Sequence, residues 1–196
     1  MFEVRIHGRG GQGAVTAADL LSIAAFHDGR YALAFPSFGS ERTGAPVAAF
    51  CRIDARPIRS REPVSEPDAV IVQDPTLLGR VDVLAGLRPD GCALIDGESA
   101  PADAAHRSVA VPASRIALRC LGRPLPNTAL LGALSAQTGC VSLASLVTAI
   151  SERFEGPALE GNVAAAREAY AWVRERARGR DHAAVRVGEA RGGFAS

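Results

Sequence analysis

Apolar residues gather into short, strand-length runs over the first two thirds of the chain and into three- and four-residue spacings over the last third. EVRIH predicts a strand over 2–7. Ala17, Leu20, Leu21, Ala24 and Ala25 fall at helical spacing and predict a helix over 14–27. YALAF (31–35) reads as the next strand, and PSFGSERTGAP (36–46) as a long exposed loop. VAAFCRID (47–54) and the shorter RPIRS (56–60) read as strands around a tight turn. AVIVQD (69–74) has the β-branched, apolar character of a buried central strand and is ended by Pro75. A helical piece near 76–87 follows, then strands GCALID (91–96) and SVAVP (108–112). NTALLGALSAQTG opens with a plausible N-cap at Asn127 and closes with Gly139, and 143–154 and the amphipathic, Arg-rich 162–180 read as further helices. Beyond about 180 the periodicity is weak, and that tail is expected to lie extended along a neighbouring subunit or to be disordered.

The connection between the first strand and the first helix reads GRGGQG, so Gly8, Gly10 and Gly13 satisfy the G-x-G-x-x-G spacing of a dinucleotide-binding turn. Such a turn lets backbone approach a ligand and presents the free N–H groups of a helix N-terminus to an anion. With strands alternating with helices, the fold class is α/β: a single doubly wound, largely parallel Rossmann-like sheet with a helical C-terminal part, as one domain over 1–180 and a tail over 181–196. An NAD site also requires an acidic residue at the end of the second strand to hold the ribose hydroxyls. That strand ends in Ala34-Phe35-Pro36, so the requirement fails. The loop that follows should leave the carboxyl end of the sheet, where ligands and partners bind. Phe35 and Phe38 in it need something to pack against; left bare they would form a sticky patch, which predicts a chain stable only within a hetero-oligomer. Gln73 and Asp74 should stand at the carboxyl end of a buried strand, with Asp74 either capping the next helix or facing a ligand.

Composition narrows the chemistry. The chain has 196 residues, 47% of them hydrophobic, with a net charge of +1, and its 22 basic residues are all arginine, scattered among 21 acidic ones. Nothing in that balance points to nucleic acid or to a membrane surface, and with neither a leader nor a long apolar run at hand a cytoplasmic protein is expected. Cys51, Cys92, Cys120 and Cys140 are isolated in sequence and read as reduced packing residues; the four histidines supply no ligand spacing, and no metal is expected. There is no G-x-S-x-G elbow, no phosphate-loop lysine and no cysteine with an evident base, so no catalytic residue is assigned.

RIHGRGGQGAVTAADLLS (5–22), AFPSFGSERTGAPVAAFCRID (34–54), VIVQDPTLL (70–78) and NTALLGAL (127–134) together resemble the gamma subunit, or gamma domain, of the pyruvate:ferredoxin oxidoreductase family of 2-oxoacid oxidoreductases, over about residues 3–175. The tail after Arg180 falls outside the likeness. The resemblance implies a subunit of a coenzyme A-acylating enzyme in which alpha and beta chains hold thiamine diphosphate with magnesium, and delta or beta chains hold the 4Fe-4S clusters. This chain then binds no cofactor alone; coenzyme A is the co-substrate, and ferredoxin or a flavoprotein/NAD module accepts the electrons. Carried over residue by residue, the ligand- or interface-binding positions are Gly8, Arg9, Gly10, Gly11, Gln12 and Gly13 in the turn and Ser37, Phe38, Gly39, Glu41, Arg42 and Gly44 in the loop. Arg9 and Arg42 would grip a phosphate of coenzyme A or a carboxylate of a thiamine-binding partner. Pyruvate leads among the substrates, with 2-oxoglutarate, branched-chain 2-oxo acids and phenylglyoxylate open. A stand-alone NAD(P)-binding oxidoreductase and a purely architectural module are the rival readings.

Overall fold

In the computed structural model, which describes residues 1–37, 44–99 and 107–191 (the side chains of 107 and 179–191 excepted), side-chain alternation along the first strand sorts the molecule into layers. In β1 (Phe2–Arg9), Val4 and Ile6 point into the main core, while Arg5 enters the opposite layer. β2 (Tyr31–Pro36), β3 (Pro46–Asp54), β4 (Ala69–Val72), β5 (Cys92–Asp96) and β6 (Arg107–Val111) complete one six-stranded sheet in the order β2-β3-β1-β4-β5-β6. β1, β4, β5 and β6 run parallel, and β3 is antiparallel to both its neighbours. β4 is buried on both faces, Ala69 and Ile71 to one side and Val70 and Val72 to the other, as its unbroken apolar sequence requires.

The main core joins that first face to α1 (Ala14–His27), α2 (Ala113–Leu121), α3 (Asn127–Thr138), α4 (Leu143–Arg153) and α5 (Gly156–Arg191). Thr128 donates its hydroxyl hydrogen to Asn162 Oδ1 (2.9 Å), a buried bond that pins α3 to α5. Among the described residues no helix is long and apolar enough to cross a membrane.

The mixed α/β class and the largely parallel sheet are as expected, but several elements differ. RPIRS (56–60) is not a strand, because β3 already has β1 on one side and β2 on the other and offers a returning hairpin no free edge. The helix expected near 76–87 is a single 3-10 turn (Pro75–Leu77) followed by isolated turns. Its carbonyls are diverted to Arg5, whose Nη2 donates to Val83 O (3.1 Å) and Ala85 O (2.5 Å) while Nη1 donates to Val64 O (3.2 Å). The second face is therefore covered by an irregular segment carrying Leu77, Val83 and Leu87 instead of by helices. α2 was not anticipated; Ile116 and Ala117 bury its inner face, and Gly122, at φ 68°, ends it. α5 starts at Gly156, before the expected 162, and its backbone continues helically through 180 to Arg191, neither extended nor disordered over that span. Phe35 is not part of an exposed patch: it is 7% exposed and packs on Phe50 with ring centroids 5.3 Å apart, beside Val64.

His7, half-buried with its Nε2 enclosed, is another polar group on the second face. Burial, reinforced by the charge of Arg5, lowers its pKa from 6.5 to about 4, so it is neutral in the fold. Between those values the unfolded chain binds the extra proton. Stability is therefore intact above pH 6.5 and should fall by about 3 kcal/mol as the pH drops towards 4. Melting temperatures measured across that window should show the slope in the parent protein and a flatter profile in His7→Phe.

Candidate functional site

The turn after β1 closes on itself and on the far end of the loop that precedes β3. Arg9 N–H donates to Gln12 Oε1 (2.8 Å) and Gln12 N–H donates back to Arg9 O (3.0 Å). Gly10 N–H donates to Ala45 O (2.9 Å), and Gly44 N–H to Gly10 O (3.2 Å). Gly13 is the N-cap of α1 at φ 77°, a conformation side chains rarely adopt, and a Cβ there would meet Asn127 Nδ2 at 2.7 Å. Gly8 lies against Gln73, whose Oε1 stands 2.5 Å from where a Cβ would be. At the near end of the loop, Ser37 N–H donates to Ala48 O (2.8 Å).

The structure thus brings together Gly8, Arg9, Gly10, Gly11, Gln12, Gly13 and Gly44, with Ser37 at the other root of the loop. Phe38, Gly39, Glu41 and Arg42 lie outside the described residues.

Arg9, expected to grip a ligand, is also engaged within the chain. Its Nε donates to Asp74 Oδ2 (2.6 Å), Nη2 to Thr76 Oγ1 (2.7 Å) and Nη1 to Gly44 O (3.1 Å). One guanidinium therefore ties the glycine turn, the loop end and the end of β4 together. Asp74 also accepts from Thr76 N–H (2.9 Å), the capping role that its position suggested. Burial pulls the Asp74 carboxyl upward, but the Thr76 hydroxyl and amide and the Arg9 guanidinium outweigh it and hold the pKa below its ordinary value.

For a ligand the turn offers backbone amides together with Arg9, which lines the cavity beside it. The first amides of α1 have no carbonyl partner within the helix. They border a cavity of about 360 Å³ whose lining includes Gly10, Gly11, Gly13, Ala14, Thr16 and Val47. An anion fits that arrangement. Beneath it, Gln73 is 1% exposed, and among the described residues neither atom of its carboxamide has a partner. Asn127 sits one residue inside α3, since Pro126 holds the N-cap position; its Oδ1 accepts from Thr128 N–H (2.9 Å) and its amide faces Gly13. Thr76, which no motif singled out, is found only through its bond to Arg9.

Among the described residues no three His, Cys, Asp or Glu side chains stand together as a metal-binding group. Cys51, Cys92 and Cys140 are buried; burial raises the Cys140 thiol to about 11 and Cys51 further.

A mixed α/β domain that directs a glycine turn and a helix N-terminus to one end of its sheet is, in class, Rossmann-like. The model of the pyruvate ferredoxin/flavodoxin oxidoreductase family matches residues 3–172, and the chain belongs to that family. It is 50% identical over 177 residues to the common gamma subunit of the pyruvate/ketoisovalerate oxidoreductases of Pyrococcus abyssi, covering 87% of this chain and 96% of that one. It is also 50% identical over 170 residues to the pyruvate synthase subunit PorC of Methanocaldococcus jannaschii, with the same coverage. The crystal structure of the pyruvate oxidoreductase subunit PORC of Thermotoga maritima superposes with a TM-score of 0.75 at 38% identity, over 86% of this chain and 94% of that one. The fold recurs, at 19% identity and a TM-score of 0.73, within 31% of the longer chain of the Magnetococcus marinus 2-oxoglutarate:ferredoxin oxidoreductase.

Proposed function

We propose that this chain is the gamma subunit of a coenzyme A-acylating 2-oxoacid oxidoreductase, inactive alone and required in the assembled enzyme. The observation that carries the reading is the 50% identity to gamma-type subunits over 96% of their length. Those relatives' names favour pyruvate as the 2-oxo acid. Alpha, beta and delta-type partners would hold thiamine diphosphate, magnesium and the 4Fe-4S clusters, and ferredoxin or a flavoprotein/NAD module would accept the electrons. When bound, thiamine diphosphate supplies the carbanion chemistry of decarboxylation. This chain's share is positional: the glycine turn and the α1 amides would receive a phosphate of coenzyme A or an acidic group of a partner.

Because Arg9 is engaged within the chain, its loss should act through the shape of the turn. The Arg9–Asp74 pair is partly buried, at 21% and 14% side-chain exposure, between the ~1 kcal/mol of an exposed pair and the ~3–5 kcal/mol cost of breaking a buried one. Arg9→Ala should therefore lower the melting temperature and weaken coenzyme A use together, whereas a ligand-gripping arginine would change the Michaelis constant for coenzyme A and leave melting unaltered. Steady-state kinetics of the reconstituted complex beside a thermal melt separates these outcomes.

A further inference from the structure

We propose that two copies of this chain pair edge to edge through β2, extending the sheet across a twofold axis at Leu33. β2 is an outer strand of the sheet and, among the described residues, is bonded on one side only, to β3. The register shows which backbone groups are left over. Ser37 N–H donates to Ala48 O, one step beyond the Pro36–Ala49 pair, and bonded and non-bonded pairs alternate along an antiparallel ladder. The odd positions Tyr31, Leu33 and Phe35 therefore bond to β3, and Ala32, Ala34 and Pro36 turn their backbone groups outward. Pro36 confirms this parity: the one residue without an N–H falls where β3 needs none.

Natural sheets protect such an edge with charges, prolines, bulges or a covering element, and Pro36 supplies one of these at the end of β2, beyond the Ala32–Ala34 positions. YALAFP carries no charge, and its ladder with β3 runs without a bulge from Tyr31–Asp54 to Pro36–Ala49. Beside it lies a groove of about 690 Å³ lined by Ile23, Phe26, Arg30, Tyr31, Ala32 and Glu152. Phe26 is 74% and Tyr31 52% exposed.

The strand is complementary to itself. Placed antiparallel about Leu33, Ala32 of one copy meets Ala34 of the other, and each such pair exchanges both outward hydrogen bonds. Leu33 faces Leu33 of the second copy at the axis, in the closer, non-bonded spacing. Tyr31 falls opposite Phe35 of the second copy, an aromatic cross-strand pair that stabilises sheets. With no charge between Tyr31 and Pro36, this pairing sets no like charges against each other. That neutrality favours a second copy over a charged segment of another chain. The inference does not depend on the proposed enzyme activity.

The test is covalent trapping in the complex purified with all its subunits. Leu33→Cys should give, on mild oxidation, a disulfide-linked dimer of this chain on a non-reducing gel. The parent protein, which retains the partly exposed Cys120, should give none. Adding Ala34→Pro, which removes an outward N–H and none that β3 uses, should abolish the band. As a check that leaves the packing of Leu33 intact, a photo-crosslinking side chain at exposed Tyr31 should label the peptide carrying Phe35 in a second copy. Absence of both crosslinks, crosslinking only to a different subunit, or a Leu33→Cys band that survives Ala34→Pro would overturn the proposal.

Discussion

Replacing Arg5 with methionine is expected to lower the melting temperature by roughly 10 °C. The methionine fills much of the same space but leaves the carbonyls of Val64, Val83 and Ala85 without the guanidinium that now serves them all. An unsatisfied buried acceptor costs about 1–3 kcal/mol, and water reaching part of the segment would limit the total to about 3–5 kcal/mol. At about 2–4 °C per kcal/mol for a chain of this size, the shift follows. The damage should be local as well as global. Residues 73–91 are turns and one short 3-10 turn, so their fold rests on this side chain and on Leu77, Val83 and Leu87. Limited proteolysis should therefore cut the variant first within that segment, and an even loss of protection along the chain would mean that Arg5 does not organise it. Arg5→Lys should recover only part of the stability, because an ammonium lacks the planar fork that reaches three separated carbonyls.

The second large effect is expected at Gly13. Valine there meets two penalties: a left-handed backbone at φ 77°, costing about 1–2 kcal/mol for a side-chain-bearing residue, and a Cβ 2.7 Å from Asn127 Nδ2. The fold can absorb both by moving the start of α1 or of α3, and that movement displaces the amides proposed to receive the anion. A displacement of about 1 Å at a positioning element can reduce turnover 100-fold. In the reconstituted complex, Gly13→Val should accordingly lower kcat/KM for coenzyme A by roughly 100-fold. Reduction of the acceptor by the 2-oxo acid in a single turnover without coenzyme A should persist. Equal loss of both activities would place the defect in assembly, and normal kinetics would make the turn a plain connection.

Much of this was legible in the sequence because the informative residues are local. The strand–turn–helix from Phe2 to His27 needs only apolar spacing and glycines at fixed offsets, and Asp74 announces its cap by its place before Pro75 and Thr76. What was illegible depends on distant partners. RPIRS has a strand's composition, but whether it pairs depends on β2 having already taken the far edge of β3. The LL and VL pairs of 76–87 fit a helix until Arg5, about eighty residues earlier, claims the carbonyls. The sequence shows Arg9 beside a phosphate-type turn, and so its chemistry as a grip, but not its partners within the chain. Its engagement by Asp74, Thr76 and Gly44 appears only once β4 is laid beside β1. Gln73 was placed correctly at the end of β4, yet no sequence pattern reveals that its carboxamide lies buried under Gly8.

The central claim, that this chain completes a coenzyme A-acylating 2-oxoacid oxidoreductase, is tested most directly by tagging it in its native host and assaying what is purified with it. The expected result is a complex carrying thiamine diphosphate and iron–sulfur clusters that reduces a ferredoxin or flavoprotein acceptor with pyruvate, in a reaction dependent on coenzyme A. Stripping the tagged chain should abolish that activity and adding it back should restore it. A chain that purifies alone, or a complex whose pyruvate- and coenzyme A-dependent activity is unchanged when the chain is removed, would contradict it.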